Sequence, residues 1–124
     1  ALKKAPDVLV VDDNQLNRKV VGSLLKVLGI NPDFAEGGEE AVEKARNKIY
    51  VIIFMDLIMP VVDGFEASRT ILEFDKKMTI IALSADNMPE TKAKAELSGM
   101  KELLSKPVSV KDLRAVIERY VTND

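Results

Sequence analysis

Asp12 and Asp13 follow the apolar run Val8-Leu9-Val10-Val11, and Asp56 follows Val51-Ile52-Ile53-Phe54-Met55. Ser84 follows Thr79-Ile80-Ile81-Ala82-Leu83, and Lys106 follows Leu103-Leu104-Ser105. Carboxylates, one hydroxyl and one ammonium are the types that phosphoryl-transfer chemistry needs. A carboxylate can attack phosphorus and carry the group as an acyl phosphate. The oxygens of the transferring group then need a metal, an ammonium or a hydroxyl around them. Singly, each residue has an ordinary reading. Asp12, Asp13 and Asn14 can cap a helix, Asp56 and Ser84 can sit in turns, and Lys106 can be solvated.

What makes them a set is the position they share. Runs of strand length alternate with helix-period segments, which implies a parallel sheet covered by helices on both faces. Ligands of such sheets lie at the carboxyl ends of the strands, and all five side chains follow a strand. Three carboxylates in one pocket repel, by roughly 4 kcal/mol for a pair about 4 Å apart at an effective dielectric near 20. Cations must offset that repulsion, or carboxyl pKa values rise. Lys106 supplies one positive charge. A site with only oxygen ligands, and no His or Cys, points to Mg²⁺, with Mn²⁺ able to substitute. Asp12 and Asp13 suit the role of metal ligands, the backbone carbonyl of Ile58 is a further candidate, and the central strand projects Asp56 into the middle of the mouth as the nucleophile.

The elements read as follows. Asn14 caps a helix reaching about Leu28, where Gly29 stops it. Pro32 to Ala35 is a weak second strand, and Gly37-Gly38 opens a short helix carrying Ala41, Val42 and Ala45. Val51 to Met55 is the central strand, and Asp63-Gly64 begins a third helix after the loop Leu57 to Val62. Thr79 to Leu83 is strand four, Pro89 occupies the first turn of a helix ending near Gly99, and Leu103 to Ser105 is strand five. Ser109 and Asp112 form a capping-box start for the last helix, whose stripe is Val110, Leu113, Val116, Ile117 and Tyr120. The expectation is an α/β, doubly wound, five-stranded parallel sheet of strand order 2-1-3-4-5, with residues 1–6 a linker or tail and 7–122 one domain.

Composition removes other classes. The chain has 124 residues, a net charge of −2, no cysteine and no histidine. Disulfide frameworks, thiolate sites, Ser-His-Asp catalysis and imidazole zinc sites are thereby excluded. Interspersed charges do not suggest a nucleic-acid or membrane-surface binder. The longest apolar run, Ile49 to Met55, is too short to span a bilayer. The cysteine-free chain suits a cytoplasmic setting, and the start at Ala1, with no initiator Met, suits either a segment of a longer protein or a processed terminus.

Four stretches in order, VVDDNQLNRKVV at 10–21, FMDLIMPVVDGFEA at 54–67, ALSA at 82–85 and GMKELLSKPV at 99–108, resemble the response-regulator receiver domains of two-component and phosphorelay signalling. The resemblance covers Val8 to about Val121 and implies the flavodoxin-like receiver fold. It implies Asp56 as phospho-acceptor, Asp13 and Asp56 as direct Mg²⁺ ligands, and Asp12 acting largely through water. Ser84 stands at the switch hydroxyl, Lys106 contacts the phosphoryl group, and Lys106-Pro107 resembles the family's cis peptide. The DDNQLN opening and GMKELLSKPV ending resemble receivers of hybrid histidine kinases. The implied partners are a histidine kinase or a histidine phosphotransfer domain, and no turnover of free substrates is implied. Ile58 and Leu103 depart from the family pattern, where many relatives carry a polar residue and an aromatic.

Three rival readings compete. A Mg²⁺-dependent aspartyl-phosphate phosphohydrolase would need a second acid poised for turnover and a cap over its substrate. A nucleotide or flavin module would need a glycine-rich loop where this chain places two carboxylates. A receiver acting only as an interaction surface would not need the full set of Asp12, Asp13, Asp56, Ser84 and Lys106. One further feature is the broad apolar arc of helix one. At 100° per residue Leu16, Val20 and Val27 cluster within about 40°, away from Val21, Leu25 and Leu28. That edge either is buried or docks a helical phosphotransfer partner.

Overall fold

The computed structural model describes residues 5–121. Residues 1–4 of the expected tail, and residue 122 at the expected domain end, lie outside the described residues. The elements alternate strictly: β1 (Val8–Val11), α1 (Gln15–Val27), β2 (Asp33–Ala35), α2 (Gly38–Asn47), β3 (Ile52–Asp56), α3 (Gly64–Phe74), β4 (Thr79–Ser84), α4 (Pro89–Leu97), β5 (Glu102–Ser105) and α5 (Val110–Tyr120). The strands form one parallel sheet of order β2-β1-β3-β4-β5.

Neighbouring side chains of a strand point to opposite faces, so a strand buried on both sides is apolar throughout. Leu9, Val11, Ile53, Met55, Ile80 and Ala82 face one layer, where Ala41 and Ala45 of α2, Phe65, Ala67 and Ile71 of α3, and Ala95 of α4 cover them. Val8, Val10, Ile52, Phe54, Ile81 and Leu83 face the other, beneath Val21 and Leu25 of α1 and Leu113, Val116 and Ile117 of α5. Phe54, Ile53 and Ile81 are wholly buried, each worth roughly 1.5–3 kcal/mol relative to exposure. The central strands are therefore the rigid part of the molecule, and the charges sit on their ends.

The capping expectations hold. Asn14 accepts from the Asn17 N–H, Asp63 from the Glu66 N–H, and Ser109 and Asp112 close a reciprocal box. Strand bounds shift slightly. Val51 precedes β3, with its N–H donated to the Asp7 carbonyl and its side chain 38% exposed. At the other end β3 includes Asp56, which pairs with Leu83, and β4 includes Ser84, which pairs with Ser105. The two side chains thus stand on paired backbone rather than on free loops.

The loop from β3 to α3 folds back tightly over the acceptor. The Gly64 N–H donates to the Leu57 carbonyl. A Cβ at Gly64 would come 2.2 Å from the Asp56 carbonyl oxygen, so only glycine lets α3 start this close to β3. In the same loop Val61 has φ 68, a left-handed conformation that a β-branched residue adopts only under strain. Asn tolerates that conformation, and Val61 is 89% exposed, so little packing is at stake. Val61→Asn is expected to raise stability by about 0.5–1 kcal/mol. Urea denaturation reads this directly, and an unchanged midpoint would mean that the loop carries no strain.

Candidate functional site

The ends of β1, β3, β4 and β5 meet at one edge of the sheet, and the five predicted side chains come with them. Asp12, Asp13 and Asp56 each offer a carboxylate oxygen within 4.8 Å of the others. Lys106 Nζ lies 3.1 Å from Asp12 Oδ2 and 3.1 Å from Asp56 Oδ1, bridging the first and third strands. Its backbone N–H donates to the Ser84 carbonyl, which continues the β4–β5 pairing and fixes where the side chain starts. The Lys106-Pro107 peptide bond is cis, as the resemblance implied.

The three carboxylates are not equivalent. Asp12 is buried, and its side chain is fully engaged. Asp12 Oδ1 accepts from the Asn14 N–H at 2.9 Å and from Asn17 Nδ2 at 3.5 Å, while Oδ2 takes Lys106. Asp56 is 6% exposed, and Lys106 is its one hydrogen-bond donor among the described residues. Asp13 is exposed. Ser84 is buried, and its hydroxyl accepts from the Asp86 N–H at 3.0 Å. Asp86 in turn accepts from the Met88 N–H and the Thr91 hydroxyl, which ties the Ser84 loop to the first turn of α4.

Burial raises the Asp56 carboxyl above its ordinary range. Repulsion from Asp12 and Asp13 adds to the rise, and Lys106 opposes it. Burial pulls the Lys106 ammonium down, but hydrogen bonds and attraction from Asp12 and Asp56 outweigh it and raise the group overall. A carboxyl whose pKa is higher folded than unfolded favours folding while it is protonated. That contribution is complete below the ordinary value of 3.8 and is lost as pH rises through the raised value. Metal-free protein is therefore expected to lose stability as pH climbs above about 4. Asp56→Asn removes that loss, so the variant is expected to be more stable than wild type at neutral pH in the absence of metal. Denaturation in chelator at several pH values checks both statements, and a variant less stable than wild type at pH 7 contradicts them.

The donor set fits a hard divalent cation. Mg²⁺ takes oxygen ligands at about 2.1 Å and keeps several waters, so carboxylates gathered this closely could hold one ion, some directly and some through water. An ion there would also offset the charge that raises Asp56.

Two neighbours of Asp12 went unassigned in the sequence. Asn17 bonds its carboxylate, and Arg18 Nη1 donates to its backbone carbonyl at 2.7 Å. Both lie inside the DDNQLNR run, and the turn after an N-cap returns toward the cap, which was the available signal. The Asp86–Thr91 contact had no comparable signal, since it depends on how the β4–α4 loop closes.

The response regulator receiver domain family matches residues 8–118. The chain is 40% identical over 118 residues to a hybrid signal transduction histidine kinase G of Dictyostelium discoideum, a match covering 91% of this chain and 3% of the kinase. The chain spans between 3% and 16% of the length of such curated relatives. The receiver domain of sensor histidine kinase PA1611 from Pseudomonas aeruginosa PAO1, solved with magnesium in its active-site cleft, superposes with a TM-score of 0.87. It shares 30% identity, with 94% of this chain and 98% of that chain covered. The receiver domain of Ssk1 of Saccharomyces cerevisiae, solved with the histidine phosphotransfer protein Ypd1, has a TM-score of 0.87 and 36% identity, covering 95% and 91%.

Proposed function

The chain belongs to the response regulator receiver domain family, a receiver domain of phosphorelay signalling, and from that membership we propose that it accepts a phosphoryl group on Asp56 from a phosphohistidine donor and passes it on. The observation that carries this reading is Lys106 held 3.1 Å from both Asp12 and Asp56 at the mouth of the sheet. An Asp56 carboxylate oxygen attacks phosphorus, the N–P bond of the donor histidine breaks, and the P–O bond of an acyl phosphate forms. Lys106 moves from bridging two carboxylates to meeting the phosphoryl oxygens. The Ser84 hydroxyl, two residues before Asp86, supplies a further donor once it turns to them. Mg²⁺, or Mn²⁺ in its place, would be held by Asp13 and Asp56 with the Ile58 carbonyl, and through water by Asp12; when bound it neutralises charge on the transferring group.

The domain modifies itself and turns over no free substrate. Ile58 is 77% exposed two residues past the acceptor and offers attacking water no polar side chain, which suits a group held for relay. Leu103 packs partly buried against the core beside α4 and has no hydroxyl to follow Ser84 inward. A ligand shifts an equilibrium only by its differential affinity for two states, so an output surface without that latch is coupled more weakly.

The partner is a histidine kinase or a helical phosphotransfer domain, and this chain works in the cytoplasm as a segment of a longer protein, without direct contact to nucleic acid or membrane. No helix among the described residues is long and apolar enough to cross a membrane. The test is transfer from a phosphorylated phosphotransfer domain with and without Mg²⁺. One added phosphoryl group with the metal, and none in chelator, is the expected result; transfer indifferent to chelator contradicts it.

A further inference from the structure

Asp13 completes the acidic triad, yet nothing grips its side chain. Among the described residues its carboxylate accepts no hydrogen bond and pairs with no cation, whereas Asp12 and Asp56 are buried and joined through Lys106. Its location is therefore a property of the backbone that carries it. The peptide linking Asp12 to Asp13 is pinned at its carbonyl, where Arg18 Nη1 donates at 2.7 Å, the short end of charge-assisted N–H···O bonds. The Asp12 N–H is tied to the Ala35 carbonyl at 3.1 Å, and the Asn14 N–H to Asp12 Oδ1 at 2.9 Å. Of these three bonds, the one from Arg18 falls on the Asp12–Asp13 peptide itself, and it comes from a side chain of α1.

Arg18 is well placed to hold its bond. Its own N–H donates to the carbonyl of the N-cap Asn14, its side chain is 13% exposed, and Nη2 lies 3.7 Å from Glu36 Oε1 just after β2. The Glu36 carboxylate is mostly exposed, so this pair contributes little by itself.

We propose that Arg18 is a positioning residue for the divalent-cation site: by holding the Asp12–Asp13 peptide plane it sets the Asp13 carboxylate where it can close on the ion. The proposal rests on the reading of the triad as a Mg²⁺ site. Mg²⁺ demands near-ideal octahedral geometry, so a ligand held by backbone alone loses affinity when its peptide is free to turn. Charge alone predicts the opposite. A guanidinium beside three carboxylates repels an incoming cation, so deleting it would tighten binding if electrostatics were its main effect.

The sign of the change is thus the measurement. Mg²⁺ alone is titrated calorimetrically into wild type, Arg18→Met, Arg18→Lys, Asp13→Asn and the Arg18→Met/Asp13→Asn double variant. Arg18→Met keeps the apolar stem and loses the donor, and its Mg²⁺ dissociation constant is expected to rise roughly tenfold, the low end for residues that orient metal ligands. Arg18→Lys recovers part of the loss. With Asp13→Asn already present, Arg18→Met costs nothing more, because the residue it acts through is gone. An unchanged or smaller dissociation constant in Arg18→Met overturns the proposal, as does a full tenfold loss in the Asp13→Asn background. A lower metal-free melting midpoint with unaltered Mg²⁺ affinity would mark a structural role and overturn it equally. If Arg18→Met does not fold, Arg18→Gln is read on the same criterion. Absence of Mg²⁺ binding by wild type would instead remove the cation reading itself.

Discussion

Asp56→Asn abolishes phosphorylation by a phosphohistidine partner and by small phosphoryl donors alike, lowering the rate by on the order of 10³-fold or more, the scale on which losing a nucleophile acts. The amide oxygen is too weak a nucleophile to replace the carboxylate, although its shape fills the same space. The other acids are poor substitutes, for reasons visible in their contacts. Asp12 spends one oxygen on the Asn14 N–H and Asn17 and the other on Lys106, all while buried. Asp13 is exposed and ungripped, and it is the acid on which residual modification would fall. Intact-mass analysis counts the phosphoryl groups, and peptide mapping after borohydride reduction locates them. Undiminished modification of the Asn variant, mapped to Asp13, would reverse the assignment of nucleophile and ligand. Beryllium with fluoride is expected to bind wild type only when a divalent cation is present.

Much of this site was legible because it is written at strand ends. A strand buried on both faces leaves a continuous apolar run, and the first polar residue after the run must lie at the edge of the sheet. Asp12, Asp56 and Ser84 were placed that way. The half-step errors at Val51 and Ser84 concern where pairing stops, which hydrogen bonds to neighbouring strands decide and apolar patterning does not. What escaped is of another kind. Arg18 was signalled only by its place one turn past the N-cap, and apolar patterning does not reach its bond to the Asp12 carbonyl, which forms once α1 packs back over the β1–α1 loop. The Asp86–Thr91 contact likewise arises from loop closure, and Val61's left-handed backbone contradicts its own propensity. Such local contradictions concentrate near functional sites, where surrounding structure enforces what the residue alone disfavours.

The broad apolar arc of α1 is buried along one edge and exposed along the other, and the exposed edge sets the second large effect. Val21 and Leu25 are buried against the sheet, whereas Leu16, Val20 and Val27 are 68%, 46% and 69% exposed. The core takes half the arc and leaves the other half in solvent. Val20 lines a groove with Val21, Leu83, Pro107 and Val108, and Lys106 and Asp12 of the site line it too. An apolar strip that leads to the acceptor suits a helix carrying a phosphohistidine, whose apolar side packs on α1 while its imidazole reaches the mouth. Leu16→Glu is expected to slow transfer from such a partner roughly 10–100-fold, the loss of a contact worth about 1.4–2.8 kcal/mol. Phosphorylation by a small donor needs no docking and should be spared. Folding should be spared too, because Leu16 packs on nothing in the core and the first turn of α1 carries no acid, so a glutamate there meets the favourable end of the helix dipole. A neutral Leu16→Ser variant separates lost contact from added charge: both variants should slow the partner reaction, the glutamate more. Equal slowing with partner and small donor would trace the effect to the chemistry at Asp56. No slowing with either would leave the exposed edge of α1 without a part in transfer and move the docking surface elsewhere on the rim of the site.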